Sequence, residues 1–158
     1  MKRTAVPTTL IFAFATAFVV GILPGAQADE HRACSNASLR GSFGFTSVGT
    51  LVALPPPLAG PFAEIGRQTF DGRGNTEGTA TLSANGNINR VTVQGTYEVN
   101  PDCTGSMTFL ILPFGTTATA DFVLDDDGSE LRALITTAGV IESRIYKQQF
   151  PRGRRKSI

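Results

Sequence analysis

The sequence predicts an all-β fold, an eight-stranded antiparallel up-and-down β-barrel carrying one disulfide. Three observations point there. Beyond Cys34 no window holds a sustained 3.6-residue apolar period, and Val, Ile, Thr, Phe and Tyr dominate. Eight strand-like runs follow one another, at about 38–50, 62–71, 76–84, 88–99, 103–112, 116–125, 129–137 and 140–149. All the links between them except the first are short and made of turn-forming residues.

The first run alternates Leu39, Gly41, Phe43 and Phe45 with Arg40, Ser42 and Thr46. It leads into the one long connection, Leu54-Pro55-Pro56-Pro57-Leu58-Ala59-Gly60-Pro61, which its prolines make stiff and extended. Every later link is a turn: Asp71-Gly72-Arg73-Gly74-Asn75, Asn85-Gly86-Asn87, Asn100-Pro101-Asp102, Pro113-Phe114-Gly115, Asp125-Asp126-Asp127-Gly128 and Ala138-Gly139. Gly supplies positive φ, Asn and Asp tolerate it, and Pro pre-sets the bend. Short links make neighbouring strands antiparallel, since parallel neighbours need a long crossover. Eight strands in series are enough to close into a barrel, which removes exposed edges. The alternative, a two-sheet sandwich, needs long crossover links that this chain lacks.

Alternation assigns the faces. In the fourth run Val91, Val93, Gly95, Tyr97 and Val99 oppose Thr92, Gln94, Thr96 and Glu98. In the fifth, Cys103, Gly105, Met107, Phe109 and Ile111 oppose Thr104, Ser106 and Thr108. The sixth sets Ala118, Ala120, Phe122 and Leu124 against Thr117, Thr119 and Asp121. The simplest assembly turns each apolar face inward, with glycines at 41, 66, 78, 95 and 105 relieving crowding. An eight-stranded barrel is wide enough to be filled by side chains or to hold one small ligand. Either outcome fits the mixture of large and small inward residues. If a ligand is held, Phe43, Phe45, Phe70, Tyr97, Met107, Phe109 and Phe122 are the expected contacts.

Residues 1–28 read as a secretory signal peptide: basic Lys2 and Arg3, an apolar stretch from Leu10 to Leu23, and the cleavage box Ala26-Gln27-Ala28. The apolar stretch is shorter than the ~20 residues needed to span a bilayer. The expectation is therefore a secreted or periplasmic protein without a transmembrane segment after cleavage. It has a barrel domain over 29–150 and a disordered basic tail over 151–158. Removing Lys2 and Arg3 from the chain's 14 basic residues leaves 12, against 13 acidic ones. Arg152, Arg154, Arg155 and Lys156 crowd the tail, so the folded body is mildly acidic. A nucleic-acid binder would carry its positive charge on the folded surface. The tail suggests at most a weak contact with anionic lipid or polysaccharide.

The two cysteines, Cys34 and Cys103, would meet an oxidising compartment and form one bridge. No metal and no cofactor are expected, because His31 is the single histidine and no C-x-x-C occurs. Asp71 to Gly78, DGRGNTEG, lacks the following helix that a phosphate loop requires. Asp125 to Gly128 lacks the spacing of a calcium loop. No G-x-S-x-G elbow is present. What remains is charge within strands: Glu64, Arg67, Asp121, Arg132, Glu142 and Arg144, each able to face in or out. A carboxylate held in an apolar barrel would have a raised pKa and could serve as a general acid or base. Glu64 shares the register of Phe62 and Phe70, and Asp121 interrupts the apolar ADFVL. With Tyr97 they are the candidate catalytic groups.

The pattern C-x4-L-x-G-x-[FY]-x-F (Cys34, Leu39, Gly41, Phe43, Phe45) is followed by F-D-G-x-G-N (Phe70 to Asn75). G-T-Y-x-V-N-x-D-C-T-G (Gly95 to Gly105) and A-D-F (Ala120 to Phe122) come next. Together these resemble small secreted bacterial and fungal proteins with an allene oxide cyclase-like or lipocalin-like barrel domain. The resemblance implies an eight-stranded barrel with a disulfide. It implies no site residues, because the cyclase site does not map onto this chain residue by residue. Three functions stand at this stage: a barrel binding a small apolar or amphipathic ligand, a cofactor-free isomerase or cyclase acting on an apolar substrate, and a structural or surface-interaction module with a filled barrel.

Overall fold

The computed structural model describes residues 33–53 and 59–150. The leader reading, His31, most of the proline-rich connection and the basic tail lie outside these residues. After a short 3-10 turn at Asn36–Ser38 come β1 (Arg40–Leu51), β2 (Gly60–Asp71), β3 (Asn75–Ala84) and β4 (Asn87–Val99). They are followed by β5 (Thr104–Leu112), β6 (Thr116–Asp125), β7 (Glu130–Ile135) and β8 (Val140–Gln148). The strands pair antiparallel in chain order and β8 closes on β1, giving a complete up-and-down barrel. Closure leaves no unpaired sheet edge to template aggregation.

The hairpins are made by the residues that the sequence offers for them. Asn85 and Gly86 both take positive φ, 46° and 84°, as a two-residue turn matched to strand twist demands. Most strand boundaries shift from expectation by a residue or two, and two of the shifts have a visible local cause. Cys103 is the last residue of the β4–β5 turn, at φ 66°, and not the first of β5. The seventh strand ends at Ile135: the Thr136 amide still bonds the Thr119 carbonyl in register at 2.8 Å, but the Thr119 amide donates to Thr137 Oγ1 at 2.8 Å instead of returning to the ladder.

Alternation sorts β4, β5 and β6 as the pattern predicts, with Val91, Val93, Tyr97, Val99, Met107, Phe109, Ala118, Ala120, Phe122 and Leu124 buried. Inward aromatics lie against inward glycines on adjacent strands. A Cβ on Gly66 would stand 2.7 Å from the Phe45 ring, and one on Gly49 would stand 2.8 Å from the Phe62 ring. A missing side chain on one strand thus makes room for a ring from the next.

The rule of apolar face inward fails on β8. Ile141 and Ile145 are exposed, while Glu142, Arg144 and Tyr146 are buried. The parity is regular, but the polar set faces the interior.

The two ends of the barrel differ. One is plugged by the segment before β1. Leu39 is wholly buried there, and Tyr97 Oη donates to the Leu39 carbonyl at 2.8 Å while accepting the Gly72 amide at 2.8 Å. The Val99 amide donates to Asn36 Oδ1 at 2.8 Å. Cys34 and Cys103 are disulfide-bonded with a Cα–Cα distance of 5.0 Å, tying the plug to the β4–β5 turn. Above the plug Phe43, Phe70 and Tyr97 pack edge to face, with centroids 5.5 Å and 5.3 Å apart. The other end, which no described segment plugs, carries the β3–β4, β5–β6 and β7–β8 turns together with the end of β1 and the start of β2.

Candidate functional site

Midway along the barrel, register sets a row of three residues across adjacent strands. Ser47 on β1 is paired with Arg144 on β8 and with Glu64 on β2. The short Ser47 side chain lets the longer ones meet over it. Arg144 Nη2 lies 2.9 Å from Glu64 Oε2, and Ser47 Oγ donates to the same oxygen at 3.3 Å. Arg144 Nε donates to Glu142 Oε1, two residues along the same face. The guanidinium carbon lies 5.1 Å from the Phe45 ring centroid and 5.2 Å from that of Phe109, close enough for cation–π attraction.

A chain of hydrogen bonds descends from this cluster toward the plug. Arg144 Nη1 lies 3.5 Å from Tyr146 Oη, which donates to Gln68 Oε1 at 3.1 Å. Gln68 Nε2 donates to Thr76 Oγ1 at 2.9 Å, and Thr76 donates to the Thr69 carbonyl at 2.9 Å. Each buried polar group therefore has a partner, the condition under which a polar core is tolerated.

Burial pushes the Glu64 carboxyl above its ordinary range; Arg144 opposes the rise, Glu142 adds to it and the Ser47 bond subtracts from it. Burial works against the charge on Arg144, yet Tyr146, Glu64 and Glu142 more than reverse this and its pKa is raised. Burial likewise raises the Tyr146 phenol.

Between this cluster and the connections at the unplugged end lies a cavity of about 290 Å³. Phe62, Leu82, Val91, Ala118, Ile135 and Val140 contribute apolar wall, and Phe114 stands near the β5–β6 turn. Glu64, Glu142 and Arg144 form its base and are the ionisable side chains that line it among the described residues.

Of the proposed catalytic groups, Glu64 reaches this base. Asp121 does not: it is exposed on the outer face, opposite Ser106 and Leu134, because the buried positions of β6 are the even-numbered Ala118 to Leu124. Tyr97 points inward at the plugged end, where its hydroxyl is engaged by backbone groups. Arg67 and Arg132 face outward, whereas Glu142 and Arg144 face in. The seven expected ligand contacts, Phe43, Phe45, Phe70, Tyr97, Met107, Phe109 and Phe122, are all buried, but none lines the cavity. They fill the half of the barrel toward the plug, and Phe45 and Phe109 flank Arg144 from there. The actual wall mixes smaller aliphatic residues from the other half of the same strands. Their inward parity was visible in the sequence, but not which half would stay hollow.

Eight antiparallel strands closed in chain order, packed at one end and hollow at the other, define the protein as a closed up-and-down β-barrel. No family model and no curated protein sequence matches the chain. Among solved structures, a redesigned β-barrel, mFAP1, bound to DFHBI, is similar with a TM-score of 0.53 and 14% identity, over 72% of this chain and 97% of that one. At that identity the likeness is one of fold.

Proposed function

We propose that the barrel binds a small apolar or amphipathic ligand in the cavity at its unplugged end. The observation that carries this is the cavity itself: apolar walls above a charged, hydrogen-bonded base. Ligand sites are concave, mainly apolar and fixed by a few polar groups, with volumes from ~300 Å³ upward. The volume here favours a small molecule over a long acyl chain. The redesigned barrel of like fold is bound to DFHBI, and a ligand on a barrel of this fold agrees with the reading. Titration with an environment-sensitive apolar dye, followed by competition with small amphipaths, tests the reading. Ala118→Phe projects a ring into the cavity and is expected to abolish binding while the protein keeps its β-sheet circular dichroism. Unchanged dye affinity in that variant places the dye elsewhere and removes the support.

A second reading, the isomerase or cyclase suggested by the motif resemblance, is favoured by one observation. Glu64 is a buried carboxyl with a raised pKa beside an apolar cavity, the setting of a general acid–base group. Loss of turnover of a candidate epoxide in Glu64→Gln, with binding retained, is its test.

We also propose export. The leader-like residues 1–28 and the Cys34–Cys103 bridge support it. The mass of the protein recovered from the cell exterior should start at Asp29. A chain retained inside the cell with its N-terminus intact overturns the proposal.

A further inference from the structure

Donors and acceptors at the base of the cavity are unevenly used. Arg144 turns Nε to Glu142, Nη2 to Glu64 and Nη1 to Tyr146. Each carboxylate receives its bonds at a single oxygen, Glu142 Oε1 and Glu64 Oε2, and Ser47 donates to that same Glu64 oxygen. Among the described residues the second oxygens, Glu64 Oε1 and Glu142 Oε2, have no hydrogen-bond partner. Yet no side-chain N or O sealed from solvent lacks one. These two oxygens therefore keep accessible surface, and both residues line the cavity. The base thus offers free acceptors, and its two carboxylates outnumber the single guanidinium.

Resting on the ligand-binding reading above, we propose that the cavity selects a cationic head group, an ammonium on a small apolar body, bound by Glu64 Oε1 and Glu142 Oε2. An anion would meet both carboxylates and could reach Arg144 only by displacing them. A neutral hydroxyl would gain a hydrogen bond but leave the excess charge uncompensated. The apolar wall of Phe62, Leu82, Val91 and Ile135 takes the body of the ligand.

The raised pKa of Glu64 agrees with this arrangement, since a proton on Glu64 relieves the same excess. An ammonium replaces that proton. Binding then releases it and strengthens as pH rises through the titration of Glu64. The groups that face Glu64 are Arg144, Glu142 and Tyr146 from β8 and Ser47 from β1, with Leu82 beside it on β3.

Calorimetric titration of the intact, disulfide-bonded protein with n-hexylammonium, n-hexanol and n-hexanoate tests the inference. Hexylammonium should bind about tenfold or more tightly than hexanol, with hexanoate weakest, because a charge-assisted bond replaces a neutral one. Its affinity should rise as pH is raised above the ordinary value of 4.5 for Glu64, while that of hexanol stays flat. Glu64→Gln and Glu142→Gln should each narrow the preference. If either variant fails to fold, the wild-type series still decides. Equal affinity for hexanol and hexylammonium, or tightest binding of hexanoate, overturns the cationic head group and leaves the cavity reading standing. Binding of none of the three, nor of an apolar dye, overturns both.

Discussion

Arg144 on β8 and Glu64 on β2 are joined at 2.9 Å across the strand that separates them, above Ser47. Both side chains are almost fully buried. With Glu142 on the other side of the guanidinium they form a triad inside the barrel, and its three members are interdependent. Removing charges from water is costly, and the mutual attraction offsets that cost only while every partner is present.

Arg144→Met leaves two carboxylates buried without their cation. Urea denaturation should show a loss of about 3–5 kcal/mol, the usual consequence of breaking a buried pair. The combined variant Glu64→Gln, Glu142→Gln, Arg144→Met carries no buried charge at this level and should recover most of that loss. If Arg144→Met is as stable as wild type, the carboxylates are solvated and the triad has no structural role.

Glu64 also gives the barrel a pH dependence of defined sign. Its pKa is raised by folding, so it stabilises the folded state fully below the ordinary value of 4.5. That contribution is lost as pH rises through the elevated value. Asp71 acts in the opposite direction. Hydrogen bonds from the Asn75 side chain and from the Asn75 and Arg73 amides lower it to about 2, so its contribution is present above the ordinary value of 3.8 and is lost as pH falls toward 2. Relative to wild type, Glu64→Gln should therefore gain melting temperature steadily as pH rises above about 4.5, and Asp71→Asn should flatten the acid limb. A constant difference between Glu64→Gln and wild type across this range would mean that Glu64 titrates normally.

The barrel was legible because strand alternation and turn chemistry agree along the chain. The parity of ATADFVL also places Asp121 outside, beside Thr117 and Thr119, so its outward position was available from alternation alone. Glu64 was legible through its register with Phe62 and Phe70. Glu142 and Arg144 were not, because Ile141 and Ile145 compete for the interior on hydropathy and lose. What decides between them lies on another strand: Glu64 and Gln68 of β2 supply inward polar partners for Arg144 and Tyr146, and no local window of β8 contains either. The cavity was hidden for a similar reason. It depends on the sizes of residues from several strands summed at one height, and no single strand reports that sum.

Tyr97 offers a contrast between structural and functional roles. Its hydroxyl accepts the Gly72 amide and donates to the Leu39 carbonyl, holding the plug to the β2–β3 turn. Tyr97→Phe strands both groups and should cost about 1–3 kcal/mol. The cavity lies at the other end, so ligand affinity should be unchanged. A variant of wild-type stability that loses binding would return Tyr97 to the list of functional residues.

The Cys34–Cys103 bridge spans 69 residues of sequence and joins the plug to the β4–β5 turn. Constraint of a loop of that length stabilises the folded state by about 4 kcal/mol in the chain-entropy model. The plug has other attachments, including the Cys34 amide on the Pro101 carbonyl at 3.1 Å and the Asn36 side chain on the Val99 amide at 2.8 Å. Reduction should therefore lower the urea midpoint without unfolding the barrel in buffer. Because the bridge and the cavity occupy opposite ends, the reduced protein should keep its ligand affinity at low urea. Paired denaturation curves and titrations with and without reductant check both statements. An unchanged midpoint would show that the bridge constrains little of the unfolded chain, and lost affinity would show that the plug holds the cavity in shape.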